Sequence, residues 1–438
     1  MNFSYWFKNW SFTYKIGYAI VRLGNKTFYK NFEVSGFENI PANAGVLFAI
    51  NHQNAFMDPV VLSSQLNQNA YYLARADIFK KKFANKILRS IYMLPIYRQR
   101  DGVNTIEKNE ATFNECFDIL NDKGCILIFP EGNHNNQKKL RALKKGIARI
   151  GLGAAKKYNY KNPYFIVPVG LDYSNHTKMG ADLLINIGEP INLNDYYSNF
   201  QNDSGVAINK VMSNLRNKME KLMVNIQSET YLTYTQVISL FKQEINENSS
   251  LKDRLIAQQK LVLKLESIEN NQPELFNNIT SESSDIFNYL ALNNLSAVNL
   301  LKDLSALKLT LNFFVLIAFL PLHLLGLISN YLPYKLPVLF VNKKVKDEHF
   351  HSSIKMSLGV ILFLIFWSLQ AAVVLIAFEG LIGLSYLMSL PILAILNYRW
   401  LILYKKTIGL CNAFKLNNTS DFKRNASKLK GLFDALKN

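Results

Sequence analysis

From Leu358 to Phe378 the chain carries no charged side chain. A helix of about 20 such residues has an apolar surface all round and is the length that crosses the hydrocarbon of a bilayer. A second uncharged run, Leu381 to Ile395, follows after only Glu379-Gly380 and reaches spanning length if it continues to Leu403. So short a join makes residues 358–403 a helical hairpin whose outer ends share one side. Lys343, Lys344, Lys346, Lys405 and Lys406 flank it, and cationic flanks favour the cytosolic side. An earlier apolar block, Leu309 to Val341, contains Pro321, Pro333 and Pro337. A break near Pro321 makes residues 309–341 a proline-broken hairpin that begins and ends on one side; a single span with the basic loop outside is the alternative. His323 and Glu379 are candidate intramembrane ionisable groups, more simply read as His323 facing other helices and Glu379 at the interface.

The 438 residues carry a net charge of +18 and a pI near 9.5, which calls for an anionic partner. Beside so apolar a C-terminal third, membrane lipids and phosphorylated substrates fit better than nucleic acid. Cys116, Cys125 and Cys411 form no C-x-x-C pair, which argues against a disulfide framework or a zinc ribbon and for a reducing, cytosol-facing compartment. No cleavable signal peptide is expected, because the apolar run Ile16 to Val21 is short and closed by Arg22. In residues 1–33, Tyr5, Trp6, Phe7, Trp10, Phe12, Tyr14 and Tyr18 are interleaved with Lys8, Lys15, Arg22 and Lys26. An amphipathic helix lying in a bilayer interface has this composition, and so does a helix packing its aromatics on the next domain.

Residues 34–202 alternate short apolar runs with amphipathic stretches, the pattern of an α/β domain. The expected strands are Val46 to Ile50, Ala70 to Ala74, Leu94 to Tyr97, Cys125 to Phe129, Tyr164 to Val169 and Leu183 to Ile187. Helices are expected over Thr105 to Leu120 and over about Leu140 to Lys157. Residues 203–306 turn polar, with leucines at helical spacing, and read as a segment of amphipathic helices. Asn246 to Ser250 and Thr280 to Ser284 are its expected loops, and residues 405–438 form a basic cytosolic tail.

Chemistry concentrates where strands end. Asn51-His52 follows the strand Val46 to Ile50, and Asp58 precedes Pro59. Histidine moves protons near neutral pH and a nearby carboxylate can orient its ring; equally, Asp58 before Pro59 fits a helix cap and His52 a hydrogen-bonded turn residue. Pro95-Ile96-Tyr97-Arg98-Gln99-Arg100 ends another strand in two guanidinium groups, which bind phosphate oxygens in pairs or form a solvated basic edge. Phe129-Pro130-Glu131-Gly132-Asn133-His134 runs a strand into a turn that presents a carboxylate, and Ile166-Val167-Pro168-Val169 sets a proline late in a strand.

In this order, the four stretches resemble the conserved blocks of the glycerolipid acyltransferases, the family of the glycerol-3-phosphate and 1-acylglycerol-3-phosphate acyltransferases. The resemblance covers about residues 34–200, and its first and third blocks are the specific ones. The family fold is an α/β domain, which agrees with the strand pattern, so the expected architecture is an α/β acyltransferase domain with a mixed sheet, followed by the amphipathic all-α segment and C-terminal transmembrane helices read above. The resemblance implies a membrane-bound enzyme of phospholipid biosynthesis with its catalytic domain on the cytosolic face. His52 would be the general base that takes the acceptor hydroxyl's proton, oriented by Asp58, as that hydroxyl attacks an acyl thioester. Arg98, with Arg100, would bind the phosphate; Glu131 and Gly132 would shape the acceptor site, Glu131 by accepting glycerol hydroxyls or by arranging basic residues. Asn51, Lys144 and Lys145 complete the expected substrate-binding group. The acceptor would be glycerol 3-phosphate or its 1-acyl derivative, and the donor acyl-CoA or acyl carrier protein; no metal or redox cofactor is implied.

The family usually places four residues between His and Asp, and here there are five. Asp58, held extended before Pro59, leaves the extra residue to a bulge. The fungal glycerol-3-phosphate/dihydroxyacetone-phosphate acyltransferases show a similar long spacing and also carry C-terminal membrane segments. Two other classes compete: a metallohydrolase using His52, Asp58 and His134, which lacks a paired-ligand motif such as H-E-x-x-H, and a non-catalytic membrane scaffold on the same fold.

Overall fold

A computed structural model describes residues 11–97, 105–241, 249–301, 303–378 and 380–437, and the chain divides into two compact units. The first takes in residues 1–225, 250–255 and 345–357, and the second takes in 226–249, 256–344 and 358–438.

The first unit is organised by an eight-stranded sheet: β1 (Asn31–Ser35), β2 (Gly45–Ile50), β3 (Ala70–Arg75), β4 (Met93–Ile96), β5 (Cys125–Ile128), β6 (Tyr164–Tyr173), β7 (Asp182–Ile187) and β8 (Ile191–Asn192). The order is β1-β7-β6-β2-β5-β3-β4, with β8 also paired to β6. The β6/β7 and β6/β8 pairs are antiparallel and the rest parallel, so the sheet is mixed. β2 lies between β5 and β6 and is buried along its whole length. Val46, Phe48 and Ile50 enter one core and Leu47 and Ala49 the other, which is why the strand reads as an unbroken apolar run.

Six strands fall where the apolar runs place them, and β1 and β8 add to them. β1 escapes the pattern because Asn31-Phe32-Glu33-Val34-Ser35 is half-buried throughout. β6 runs past the expected Val169 to Tyr173, through the polar Asp172. The helix expected from Leu140 begins only at Gly146. Residues 133–145 instead fold back, with the amides of Arg141 and Lys144 donating to Glu131 Oε2 and to the Pro130 carbonyl. Those donors serve the loop rather than a helix ladder.

The helix Phe12–Phe28 packs on this unit. Tyr14 meets Tyr92 edge to face and accepts from the Ala70 amide, while Asn25 donates to Ser64. Its other face leaves Phe12, Ile16 and Leu23 exposed, so the packing and the interfacial patterns coexist on one helix. Tyr5, Trp6, Phe7, Lys8 and Trp10 lie outside the described residues, as do Arg98, Arg100, Asn246 to Asn248 and Glu379.

Among the described residues, the regular elements of the second unit are all helices. Thr280 to Ser284, expected as a loop, sits inside the helix Pro273–Leu292. Phe276, Ile279, Ser283, Ile286 and Leu290 are buried at helical spacing, and Thr280 and Ser283 turn their hydroxyls back to carbonyls of the same helix. Burial of that stripe overrides the loop-like composition. The block 309–341 divides at Phe319 into a short helix, Ala306–Ala318, and a long one, Leu320–Lys344, with Pro321 in the first turn, where proline is tolerated. Leu320–Lys344, Glu348–Ala377 and Gly380–Leu416 are each long and apolar enough to cross a membrane. The last continues through Lys405 and Lys406, and the expected tail ends in a further helix, Ser420–Lys437. That helix buries Phe422, Leu429 and Phe433 and pairs Lys428 with Asp285.

Candidate active site

The end of β2 is fixed by a side chain that imitates backbone. Asn51 is fully buried; its amide oxygen accepts from the Leu171 N–H at 2.7 Å and its nitrogen donates to the Leu171 carbonyl at 3.1 Å. With both groups spent on β6, Asn51 leaves the expected substrate-binding group and becomes the residue that delivers His52.

His52 Nδ1 lies 2.9 Å from Asp58 Oδ2. The same oxygen accepts from the amides of Gln53 at 2.8 Å and Asn54 at 2.7 Å, and Oδ1 accepts from the Tyr173 hydroxyl at 2.8 Å. Asp58 is fully buried, and four donors compensate its desolvation. It lies inside the first turn of the helix Met57–Ser63, not extended before Pro59, and its carboxylate holds the preceding loop rather than capping that helix. Among the five intervening residues, Ala55 has a φ of 31°, in the left-handed region.

The turn after β5 grips His52 from the other side. Glu131 Oε1 accepts from the His52 amide at 2.8 Å, and the Asn135 amide donates to the His52 carbonyl at 2.9 Å. Glu131 Oε2 accepts from Arg141 Nε at 2.7 Å, and Arg141 also donates to the Asn133 carbonyl. Glu131 thus pairs with a basic residue and braces the histidine backbone. Gly132 has φ 77°, and a Cβ there would sit 2.9 Å from the Lys144 side chain, which crosses it. The imidazole stacks on Phe129 at 4.0 Å between ring centroids and meets the edge of His134 at 5.5 Å. Nδ1 faces Asp58, so Nε2 is the nitrogen left for a ligand.

His52 lines a cleft of about 1260 Å³. Its lining includes the apolar Leu73, Ile78, Leu88, Met93, Ile96 and Phe113 and the cationic Lys144, Lys145 and Arg149. Lys144 and Lys145 precede the helix Gly146–Lys157 rather than riding on its face. Tyr97 also lines the cleft.

Residues 345–357 complete the surroundings, although sequence places them more than 200 positions away. Asp347 Oδ2 lies 3.3 Å from His134 Nε2, Asp347 Oδ1 lies 2.7 Å from His349 Nδ1, and Ser352 donates to Asn54 Oδ1 at 2.8 Å. Burial, with the neighbouring His52 and His349, holds the His134 pKa below the ordinary imidazole value. The metal centre of His52, Asp58 and His134 is not assembled, because the Asp58 oxygens are filled by the donors above. The sequence alone did not single out Tyr173, Arg141 or Arg149 as site residues, nor the contacts of this segment. Tyr173 had a signal in the apolar alternation after Val169; the segment 345–357 had none.

Residues 31–172 match the family model described as Acyltransferase. The chain is 31% identical over 118 residues to Glycerol-3-phosphate O-acyltransferase 2 of Saccharomyces cerevisiae, a match covering 27% of this chain and only 16% of that protein's length. It is 25% identical over 193 residues to the 1-acyl-sn-glycerol-3-phosphate acyltransferase of Bacillus subtilis, covering 42% of this chain and 88% of that one. The crystal structure of the 1-acyl-sn-glycerophosphate acyltransferase of Thermotoga maritima superposes with a TM-score of 0.32 at 19% identity, covering 46% of this chain and 78% of that chain.

Proposed function

We propose, from the premise that residues 31–172 form an acyltransferase-family domain, that the protein transfers a fatty acyl group from a thioester to a hydroxyl of a glycerol phosphate. The observation that carries this reading is the hydrogen bond between His52 and the buried Asp58 at the wall of a cleft lined by both apolar and cationic side chains. With its Nδ1–H donated to Asp58, His52 keeps a lone pair on Nε2 for the acceptor's hydroxyl proton. The hydroxyl oxygen attacks the thioester carbonyl, the tetrahedral intermediate expels the thiolate, and the proton on Nε2 passes to that sulfur. No enzyme-bound acyl group is needed, because His52 and Asp58 act as base and orienter without a protein nucleophile.

The apolar side chains suit an acyl chain. Lys144, Lys145 and Arg149, beside the start of the helix Gly146–Lys157, suit the phosphate, since cations and a helix N-terminus both favour an anion. Arg98 and Arg100 join this group on the strength of the resemblance. The acceptor is glycerol 3-phosphate or its 1-acyl derivative, and the donor is acyl-CoA or acyl carrier protein. The three long apolar helices anchor the enzyme in a membrane, with its catalytic unit on the cytosolic face where the thioester donors are made.

The test is an acyl-transfer assay in membranes, with glycerol 3-phosphate and its 1-acyl derivative offered side by side and each thioester in turn. The wild type should acylate one of the two acceptors, and a folded His52→Ala variant should lose at least about a thousandfold of that rate. Full activity in His52→Ala would sink the base assignment, and equal cellular function would favour the scaffold.

A further inference from the structure

His134, Asp347 and His349 each offer one ligand atom, and these atoms all lie within 4.8 Å of one another. Hydrogen bonds to Asp347 account for only one nitrogen of each ring. His349 Nε2 is buried and has no hydrogen-bond partner among the described residues. A buried imidazole nitrogen left over in this way costs free energy unless something accepts or supplies a bond there.

We propose that His134, Asp347 and His349 form a binding site for a divalent transition-metal ion of the zinc class, separate from the His52–Asp58 pair. Two imidazoles and one carboxylate are a donor set that suits zinc and disfavours calcium or magnesium, which prefer all-oxygen shells. Two ligands of a tetrahedral zinc ion sit about 3.3 Å apart, and His134 Nε2 and Asp347 Oδ2 are separated by 3.3 Å. The remaining ligand atoms need only draw inward from within 4.8 Å. A fourth position stays open to water.

The ion acts as a clasp. His134 belongs to the turn that grips His52, through the Asn135 and Glu131 contacts, while Asp347 and His349 belong to the segment 345–357 that leads into the helix His351–Ala377. Phe350, on that segment, lines the cleft and packs its ring against His134. Binding therefore fixes Phe350 at the cleft wall, which a hydrogen-bonded cluster alone holds less firmly. The site stands whether or not His52 transfers an acyl group.

The experiment uses the untagged full chain in detergent micelles, stripped with chelator and then titrated with Zn²⁺ against a chromophoric chelator. One equivalent should bind per chain with micromolar or tighter affinity, and Co²⁺ in its place should show the intense visible bands of four-coordinate cobalt. His349→Ala and Asp347→Asn should each weaken that binding at least about thirtyfold, while thermal midpoints without metal stay within a few degrees of wild type. Less than a fifth of an equivalent bound, or unchanged affinity in the folded variants, overturns the proposal. Asp347 is about half exposed, so Asp347→Asn keeps the test valid if His349→Ala fails to fold.

Discussion

His52 Nδ1 and Asp58 Oδ2 are 2.9 Å apart, with five residues between them folded round the same carboxylate. The contact needs no regular helix, because the Gln53 and Asn54 amides converge on the oxygen that faces the ring. An amide in place of the carboxylate keeps one acceptor and turns a donor towards donors. Asp58→Asn should therefore hold His52 in the wrong tautomer and reduce turnover by about a thousandfold or more, with a much smaller change in KM. Steady-state kinetics on the folded variant checks this, and a loss under tenfold would remove Asp58 from the orienting role.

Ala55 lies among the five intervening residues, and its φ of 31° disfavours branching at Cβ. Ala55→Val should destabilise the loop by about 1–2 kcal/mol and lower activity with it, whereas Ala55→Gly should be nearly neutral for activity. Equal behaviour of the two variants in thermal unfolding and turnover would show that the turn does not depend on the left-handed conformation at Ala55.

The two residues of that pair were legible because each stands beside an unmistakable local signal, a strand end and a proline. What surrounds them was less so. Asn51 reads as polar and therefore available, yet its amide substitutes for strand pairing with Leu171, a relation that only the sheet order creates. The helix expected from Leu140 was misjudged because Glu131, outside the periodic stretch, draws the Arg141 amide away. Residues 345–357 sit between two apolar helices and have nothing local to mark them as neighbours of His134. Strands and helices with their own periodicity could be read; contacts made by loops across hundreds of residues could not.

Glu131 is 3% exposed in its side chain and pairs with Arg141, which is 28% exposed. Removing the arginine side chain leaves a buried carboxylate with the His52 and residue-141 amides as backbone donors but without the guanidinium donor or its counter-charge. Arg141→Ala should destabilise the first unit by about 3 kcal/mol, and adding Glu131→Gln should recover part of that by removing the stranded charge. Denaturant titration of both variants tests this; a single-variant cost below about 1 kcal/mol would mean that water replaces the guanidinium.

His176 couples the site to pH. Burial first, then the Lys138 ammonium, push its pKa down to about 4, against the partial opposition of Asp58 and Asp172. The unfolded chain takes up this proton near pH 6.5 and the folded one only near pH 4. Its contribution to stability is therefore complete above pH 6.5 and is lost as pH falls towards 4, by about 3 kcal/mol. The thermal midpoint of the first unit should fall across that window, and His176→Gln should flatten the fall. An identical pH profile in the variant would place the titration elsewhere.

In the second unit, Gly326 lets two helices approach closely. A Cβ at this position would sit 2.9 Å from the Leu393 carbonyl oxygen and 3.3 Å from Asn397 Cβ, and neither helix backbone can yield by rotating a side chain. The approach sets His323 flat on Trp400, with ring centroids 3.9 Å apart, and Asn330 accepts from Trp367 Nε1 at 2.8 Å. Gly326→Val should push Leu320–Lys344 away from Gly380–Leu416, a cost of about 1–3 kcal/mol that packing between apolar helices has little means of recovering. Trp367 and Trp400 report on this directly, because both lose a fixed neighbour when the helices part. Their emission should shift and their unfolding midpoint fall in detergent, while the pH-dependent transition of the first unit stays where it was. An unchanged tryptophan signal would mean that the helices meet elsewhere than at Gly326.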